Sequence, residues 1–391
     1  MLGDVFLAFL RLGLTSFGGP VAHLGYFRTE FVERRRWLND AAYSDIVALC
    51  QFLPGPASSQ VGIVIGMLRA GLIGGLAAWL GFSGPSAVAM ILFAYGVDAL
   101  GDVSHVAWAH GLKIVAAAVV AQAVYAMARA LWGDRARASL GVGACLLALA
   151  IPSALGQIGA ILIGGVLGWR LLPRGVGATV ADLPSPVGRN GAIIALALFF
   201  VALFLLPAIA DATQSHTLAL LASFYRSGSL VFGGAHVVLP LLQQAVVPQG
   251  WIGADRFLAG YGAAQAVPGP LFTFAAYLGA SMQPQPRGWL GGILCLVAIY
   301  LPSFLLLVGA LPFFSALRAK PAAEGALKGV NAAVVGILLA ALYSPVFTSA
   351  IATSADFGVG VLAFLLLAVW RAPPWAVVGL GAVAEIALGA S

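Results

Sequence analysis

Gln51-Phe52-Leu53-Pro54-Gly55-Pro56 and Gln265-Ala266-Val267-Pro268-Gly269-Pro270 are two versions of one interruption, each set in an apolar stretch. Proline lacks a backbone donor and glycine leaves the chain free to turn, so each version predicts a broken helix. Other pairs fall outward from it in the same order, at a spacing of about 215 residues. Arg11-Leu-Gly-Leu-Thr-Ser-Phe17-Gly18-Gly19 returns as Arg226-Ser-Gly-Ser-Leu-Val-Phe232-Gly233-Gly234. Trp37 returns as Trp251, Pro85-Ser86 as Pro302-Ser303, and Leu112-Lys113 as Leu327-Lys328. Ordered matches at nearly constant spacing mean a duplicated unit. The unit occupies 1–172 and 216–391, and the linker 173–215 holds one unmatched apolar segment, 191–210. One extra crossing between repeats that each cross an even number of times inverts the second repeat.

Of the 391 residues, 61% are apolar and 9% are charged. Soluble domains carry roughly 25% charged residues, so this inventory cannot build a water-facing shell. The apolar runs are continuous rather than alternating, which favours helices over a barrel. The chain is therefore expected to be an all-α polytopic membrane protein with two inverted-topology repeats and broken or re-entrant helices. A net charge of +6 resides mainly in short loops, where it orients the chain and does not point to nucleic acid. Cys50, Cys145 and Cys295 are scattered through apolar segments without ligand spacing, so neither a disulfide nor a metal is expected. The first ten residues contain Asp4 and no Lys or Arg, which does not read as a cleavable signal.

Two membrane maps are open. With four re-entrant hairpins and nine full crossings, the inside collects Arg28, Arg34, Arg35, Arg36, Arg69, Arg129, Arg135, Arg137, Arg170, Arg174, Arg189, Arg318, Lys320 and Arg371. The outside then keeps Arg256 and Arg287, with Asp98, Asp102, Asp211 and Asp356. Thirteen spans would instead put Arg129, Arg135 and Arg137 outside, so the positive-inside rule favours hairpins.

Ionisable groups inside apolar segments are costly, and each is a functional candidate. Arg11 precedes Phe17-Gly18-Gly19-Pro20 by two turns and Arg226 holds the equivalent place; Lys113 and Lys328 form a second pair. Four cations paired by the repeat make a candidate site for a doubly charged anion, although the lysines can equally snorkel to the headgroups. Helices restarting after Gly18-Gly19-Pro20 and Pro54-Gly55-Pro56 would aim unpaired N–H groups at such a ligand, with Pro56 at a first helical position. Ser58, Ser59 and Gln60 add side-chain donors, Thr273 being the nearest equivalent, and Gln51 and Gln265 precede the breaks in register. In the second repeat the expected site residues are Gly233, Gly234, Pro268, Gly269 and Pro270. Asp45, His23 and His236 are candidate proton carriers, with structural roles as the alternative. The basic stretch Gly25–Trp37 reads as an amphipathic anchor at the cytoplasmic interface. No Ser-His-Asp spacing, H-E-x-x-H, P-loop or intramembrane aspartate pair is present, so an enzyme or ATP-driven pump is not expected.

Phe17-Gly18-Gly19-Pro20 with His23, the turn Arg34-Arg35-Arg36-Trp37, and Gln51-Phe-Leu-Pro-Gly-Pro56 resemble the chromate transporter family of bacteria and archaea. The likeness extends to the degenerate second copy and matches the long, two-domain form. It implies a multi-pass carrier of the bacterial inner membrane that expels chromate, confers resistance and draws on the proton-motive force. The partners implied are a small oxyanion and the lipid bilayer, with no cofactor, and the chain acts as a monomer or homodimer. Sulfate offers nearly the same geometry to hydrogen-bond donors, so an oxyanion uptake carrier or an anion channel stands as the alternative. The second copy departs from the pattern: no proline follows Gly233-Gly234, and Gln249-Gly250-Trp251 replaces the basic turn. Alternating access would rock one repeat, or its hairpin pair, against the other.

Overall fold

The computed structural model describes residues 1–101, 106–172, 185–232, 235–313 and 321–388. Helices dominate it, and no strand occurs among the described residues. Six helices are long and apolar enough to cross a bilayer among those residues, so the chain is an all-α polytopic membrane protein.

The first repeat begins with α1 (Leu2–Thr15), a break at Ser16-Phe17-Gly18, and α2 (Gly19–Arg28). Next come α3 (Asp40–Phe52), the break Leu53–Pro56 and α4 (Ala57–Leu100). Helices α5 (Ala107–Leu131), α6 (Arg135–Ala150) and α7 (Ala154–Leu171) complete it. The linking helix α8 (Arg189–Thr213) follows, with Ile193, Ile194, Leu198, Phe200, Val201 and Phe204 turned outward, as lipid contact requires.

The second repeat matches the first in element order. It runs through α9 (His216–Ser229), a break at 230–232, α10 (Val238–Val246), α11 (Ala254–Ala266), the break at 267–270 and α12 (Phe274–Ser281). It ends with α13 (Gly288–Ala310), α14 (Pro321–Ala341), α15 (Ser354–Ala368) and α16 (Pro374–Leu388). Most helices beside the breaks have 8 to 14 residues, short of the roughly 20 that cross a bilayer. The exception, α4, is divided by non-helical dihedrals at Ala70 and Gly71. The chain reverses there, so that Gly66 and Gly74 meet backbone to backbone; Gly279 and Gly291 do the same in the second repeat. A side chain at any of these four glycines would collide with a carbonyl, which makes small residues a packing requirement at the reversals.

Long helices are exchanged between repeats. Helix α14 packs against α6 and α7, whereas α5 packs against α15 and α16. Gly164 and Gly168 allow the α7 backbone to touch α14 at Gly325 and Gly329, and Gly111 lets α5 touch Gly381 of α16.

The basic stretch Gly25–Trp37 is a compact knot. Helix α2 runs into a wider turn over Thr29–Arg34, and Trp37 stacks on Phe31 at 5.0 Å, with the guanidinium groups of Arg35 and Arg69 within 5.3 Å of the Trp37 ring centre. Glu30 is buried under this turn and accepts hydrogen bonds from Arg34 (3.1 Å) and Arg35 (2.5 Å). Burial pushes its pKa up, but the guanidinium groups of Arg35 and Arg34 outweigh burial and hold it below the ordinary carboxylate value. A carboxylate so depressed adds stability above its unfolded pKa and loses it as pH falls through the folded value. Glu30→Gln should therefore lower the melting temperature of the purified chain at pH 7, and the gap should close below about pH 4. A gap unchanged by acid would assign the loss to packing.

Candidate functional site

The four breaks meet in crossed pairs. Gly269 of the second repeat donates its N–H to the Ser16 carbonyl of the first at 2.9 Å. In the mirror arrangement, Gly55 donates to the Val231 carbonyl at 2.7 Å. Gly55 and Gly269 adopt φ of +128° and +108°, a region open to glycine and strained for other residues. Each also lies against a serine of the opposite repeat. A Cβ on Gly269 would stand 2.8 Å from Ser86 Oγ, and one on Gly55 would collide with Ser303 Oγ and the Gln60 amide. The Pro85-Ser86 and Pro302-Ser303 recurrence thus marks the two positions where a glycine turn of the other repeat is received.

One of these crossings opens into a cavity of about 460 Å³. Phe17, Gly18, Gly19 and Pro20 line it from the first repeat, and Gln265, Val267, Gly269 and Leu271 from the second. Gly18 caps α2 in a left-handed conformation, and Pro20 sits at the start of the helix. No side chain caps that end, so its early N–H groups and positive dipole end are available to an anion. His236 and Gln122 line the same space, His236 Nδ1 lying 2.7 Å from the Tyr261 hydroxyl. The guanidinium-bearing residue of the lining is Arg371, exposed at the turn between α15 and α16. Arg371 holds a φ of +54°, unusual for a non-glycine residue and a mark of backbone held by its surroundings. Sequence reasoning counted Arg371 as a loop charge and did not single out Gln122. Only proximity in three dimensions joins them to Phe17–Pro20.

Polar contacts hold the other crossing together. Gln60 donates to the Pro54 carbonyl at 2.7 Å, and Ser59 Oγ lies 3.3 Å from the Tyr300 hydroxyl. Ser58 contacts His23 Nδ1 at 3.4 Å, while His23 Nε2 reaches the Ser16 carbonyl at 3.3 Å. His23 is therefore part of the wall that braces Ser16, outside the cavity lining. Pro56 caps α4 without a side-chain bond, as its place after the break requires. Gln51 is exposed and Asp45 half-buried, both on α3; Pro268 and Pro270 flank Gly269, and Thr273 bonds back to the Pro270 carbonyl. Gly233 and Gly234 lie outside the described residues.

The four cations of the expected site have different surroundings. Lys113, 5% exposed, is paired with Asp255 at 2.9 Å across α5 and α11. Lys328 pairs with Glu324 one turn away at 2.8 Å. A buried ammonium needs such a counter-charge, and each lysine finds one next to its own helix. Arg11 is exposed and lines a separate cavity with Thr15, Tyr26, Glu30 and Arg34. Arg226 is half-buried on α9 and lies outside the 460 Å³ lining.

The chain is similar over most of its length to known transport proteins. The chain is 29% identical to a chromate transport protein of Pseudomonas aeruginosa over 350 residues, covering 86% of this chain and 79% of the relative. It is 25% identical to a chromate transport protein of Cupriavidus metallidurans, covering 87% and 82%. An uncharacterized transporter of Methanocaldococcus jannaschii is 26% identical, with coverage of 86% and 82%. No solved structure matches the chain. The family model described as chromate transporter matches twice, at residues 3–169 and 218–386, so each of its matches supplies one of the two breaks that meet at the cavity, and the chain belongs to the chromate transporter family.

Proposed function

We propose that this chain is a secondary carrier that exports chromate across the bacterial inner membrane, energised by the proton-motive force. The observation that carries the reading is the 460 Å³ cavity, where the uncapped start of α2 faces Gln265, Gly269, His236 and Arg371. Chromate is a tetrahedral dianion. Backbone N–H groups at a helix start, a glutamine amide and a guanidinium form the donor set such an ion needs, without a metal. The space admits the ion with part of its hydration shell, which lowers the cost of leaving water. Phe17 and Leu271 supply apolar lining beside the donors, which strengthens the electrostatic attraction by excluding bulk water. The two inverted repeats, 1–172 and 216–391 with the linker 173–215 between them, would expose the crossing alternately to either side.

The test is uptake of labelled chromate by inverted membrane vesicles. Export predicts saturable entry that requires energisation and collapses when a protonophore is added. Entry that ignores the protonophore and fails to saturate would identify a channel, and entry confined to right-side-out vesicles would identify an uptake carrier. Competition by excess sulfate in the same assay measures selectivity between the two dianions.

A further inference from the structure

A second polar cluster lies away from the cavity, where α5, α15 and α16 converge. His110 stands in the first turn of α5, Asp356 in the first turn of α15, and Glu385 near the end of α16. One ligand atom from each lies within 4.8 Å of the other two. Glu385 is 0% exposed, and neither of its carboxylate oxygens has a hydrogen-bond partner among the described residues. Asp356 is 3% exposed. Its Oδ2 accepts backbone N–H bonds from Ala352 and Thr353, each at 2.9 Å, and its Oδ1 faces His110 Nε2 at 3.4 Å.

We propose that His110, Asp356 and Glu385 bind a divalent transition-metal cation with a preference for mixed nitrogen and oxygen ligands, of which Zn²⁺ and Mn²⁺ are examples. Two buried carboxylates and one imidazole carry two negative charges, which a divalent cation balances. No donor reaches either Glu385 oxygen among the described residues, so its charge has no hydrogen-bonding compensation there. Ligand atoms about 2.1 Å from a shared ion stand roughly 3.4 Å apart in a tetrahedron and up to roughly 4.2 Å across an octahedron. The His110–Asp356 pair at 3.4 Å has that spacing, and all three ligand atoms lie within 4.8 Å of one another. The two backbone bonds to Asp356 fix its carboxylate with one oxygen turned to the centre, as supporting contacts do in metal sites.

A buried carboxylate without a hydrogen-bond partner costs stability unless a cation compensates it. The ion would pin the free ends of the α15–α16 pair to α5, while Arg371 occupies the turn at the pair's other end. The site stands independently of the substrate assigned to the carrier.

The experiment uses the full chain in detergent, stripped with a chelator and dialysed against Zn²⁺, with bound metal measured by elemental analysis and stability by melting. One Zn²⁺ per chain and a raised melting temperature are expected. Glu385→Gln, Asp356→Asn and His110→Ala should each weaken this binding at least 10-fold, a loss usual for metal-site substitutions. Where one variant fails to insert, the other two decide. Failure to bind metal, or Zn²⁺ retained by the variants with unchanged affinity, overturns the proposal. A chain that binds no metal but loses the pH dependence of chromate uptake in Glu385→Gln would also overturn it, in favour of a proton site.

Discussion

Gly269→Ala should nearly eliminate chromate transport while leaving the amount of protein in the membrane close to normal. The new methyl group meets Ser86 Oγ at 2.8 Å, and the backbone must leave a φ of +108° to relieve the strain. Strain of this kind costs on the order of 1–3 kcal/mol, which at 1.4 kcal/mol per tenfold is roughly 5- to 150-fold in the population of the native crossing. Any relaxation also weakens the 2.9 Å bond to Ser16 and shifts one wall of the cavity. Gly55→Ala meets more obstruction, from Ser303 and Gln60, at a position outside the cavity lining. The two variants therefore separate a local from a shared effect. If only Gly269→Ala stops transport, the open crossing works alone; if both do, the crossings move together. Wild-type rates in Gly269→Ala would remove the crossing from the transport path. The double variant Gly269→Ala with Ser86→Gly relieves the collision and leaves the dihedral strain, and so distinguishes the two causes.

Arg371→Ala should raise the KM for chromate far more than it lowers the maximal rate. A hydrogen bond to a charged group contributes about 1.5–3 kcal/mol, so the expected rise is roughly 10- to 150-fold. Arg371→Lys keeps the charge but loses the planar fork that suits an oxyanion, and it should fall between the two. Cells expressing Arg371→Ala at normal levels should accumulate chromate and lose resistance. Arg11→Ala and Arg226→Ala provide the comparison, because neither side chain lines this cavity. Should Arg226→Ala abolish transport while Arg371→Ala does not, the charge that matters would lie beyond the chamber described.

The architecture was readable because the punctuation of the sequence is strong. Gln51–Pro56 and Gln265–Pro270 signal breaks, and the breaks are where the helices end. The recurrence also carried contact information in Pro85-Ser86 and Pro302-Ser303. It could be seen as a match, but not that each serine serves the opposite repeat. Charge was less legible. Lys113 and Lys328 read equally as site cations or as side chains snorkelling to the headgroups, whereas the structure pairs them with Asp255 and Glu324, and Asp255 is distant in sequence from Lys113. Arg371 gave no local signal, since its position at the cavity follows from how α15 and α16 fold back toward α5. His110, Asp356 and Glu385 likewise share no spacing motif, because three separate helices bring them together.

The exchange of partners across the two crossings constrains how this machine can work. A rocking motion that treated residues 1–172 as one rigid block and 216–391 as another would tear both the Gly55–Val231 and the Gly269–Ser16 links in every cycle. Motion that preserves them must divide the molecule differently, along a seam where each travelling portion is a chimera of the two halves. The gene's duplication boundary and the mechanical boundary would then be different lines through the same protein, and a chain cut at the linker could work only when both fragments meet again.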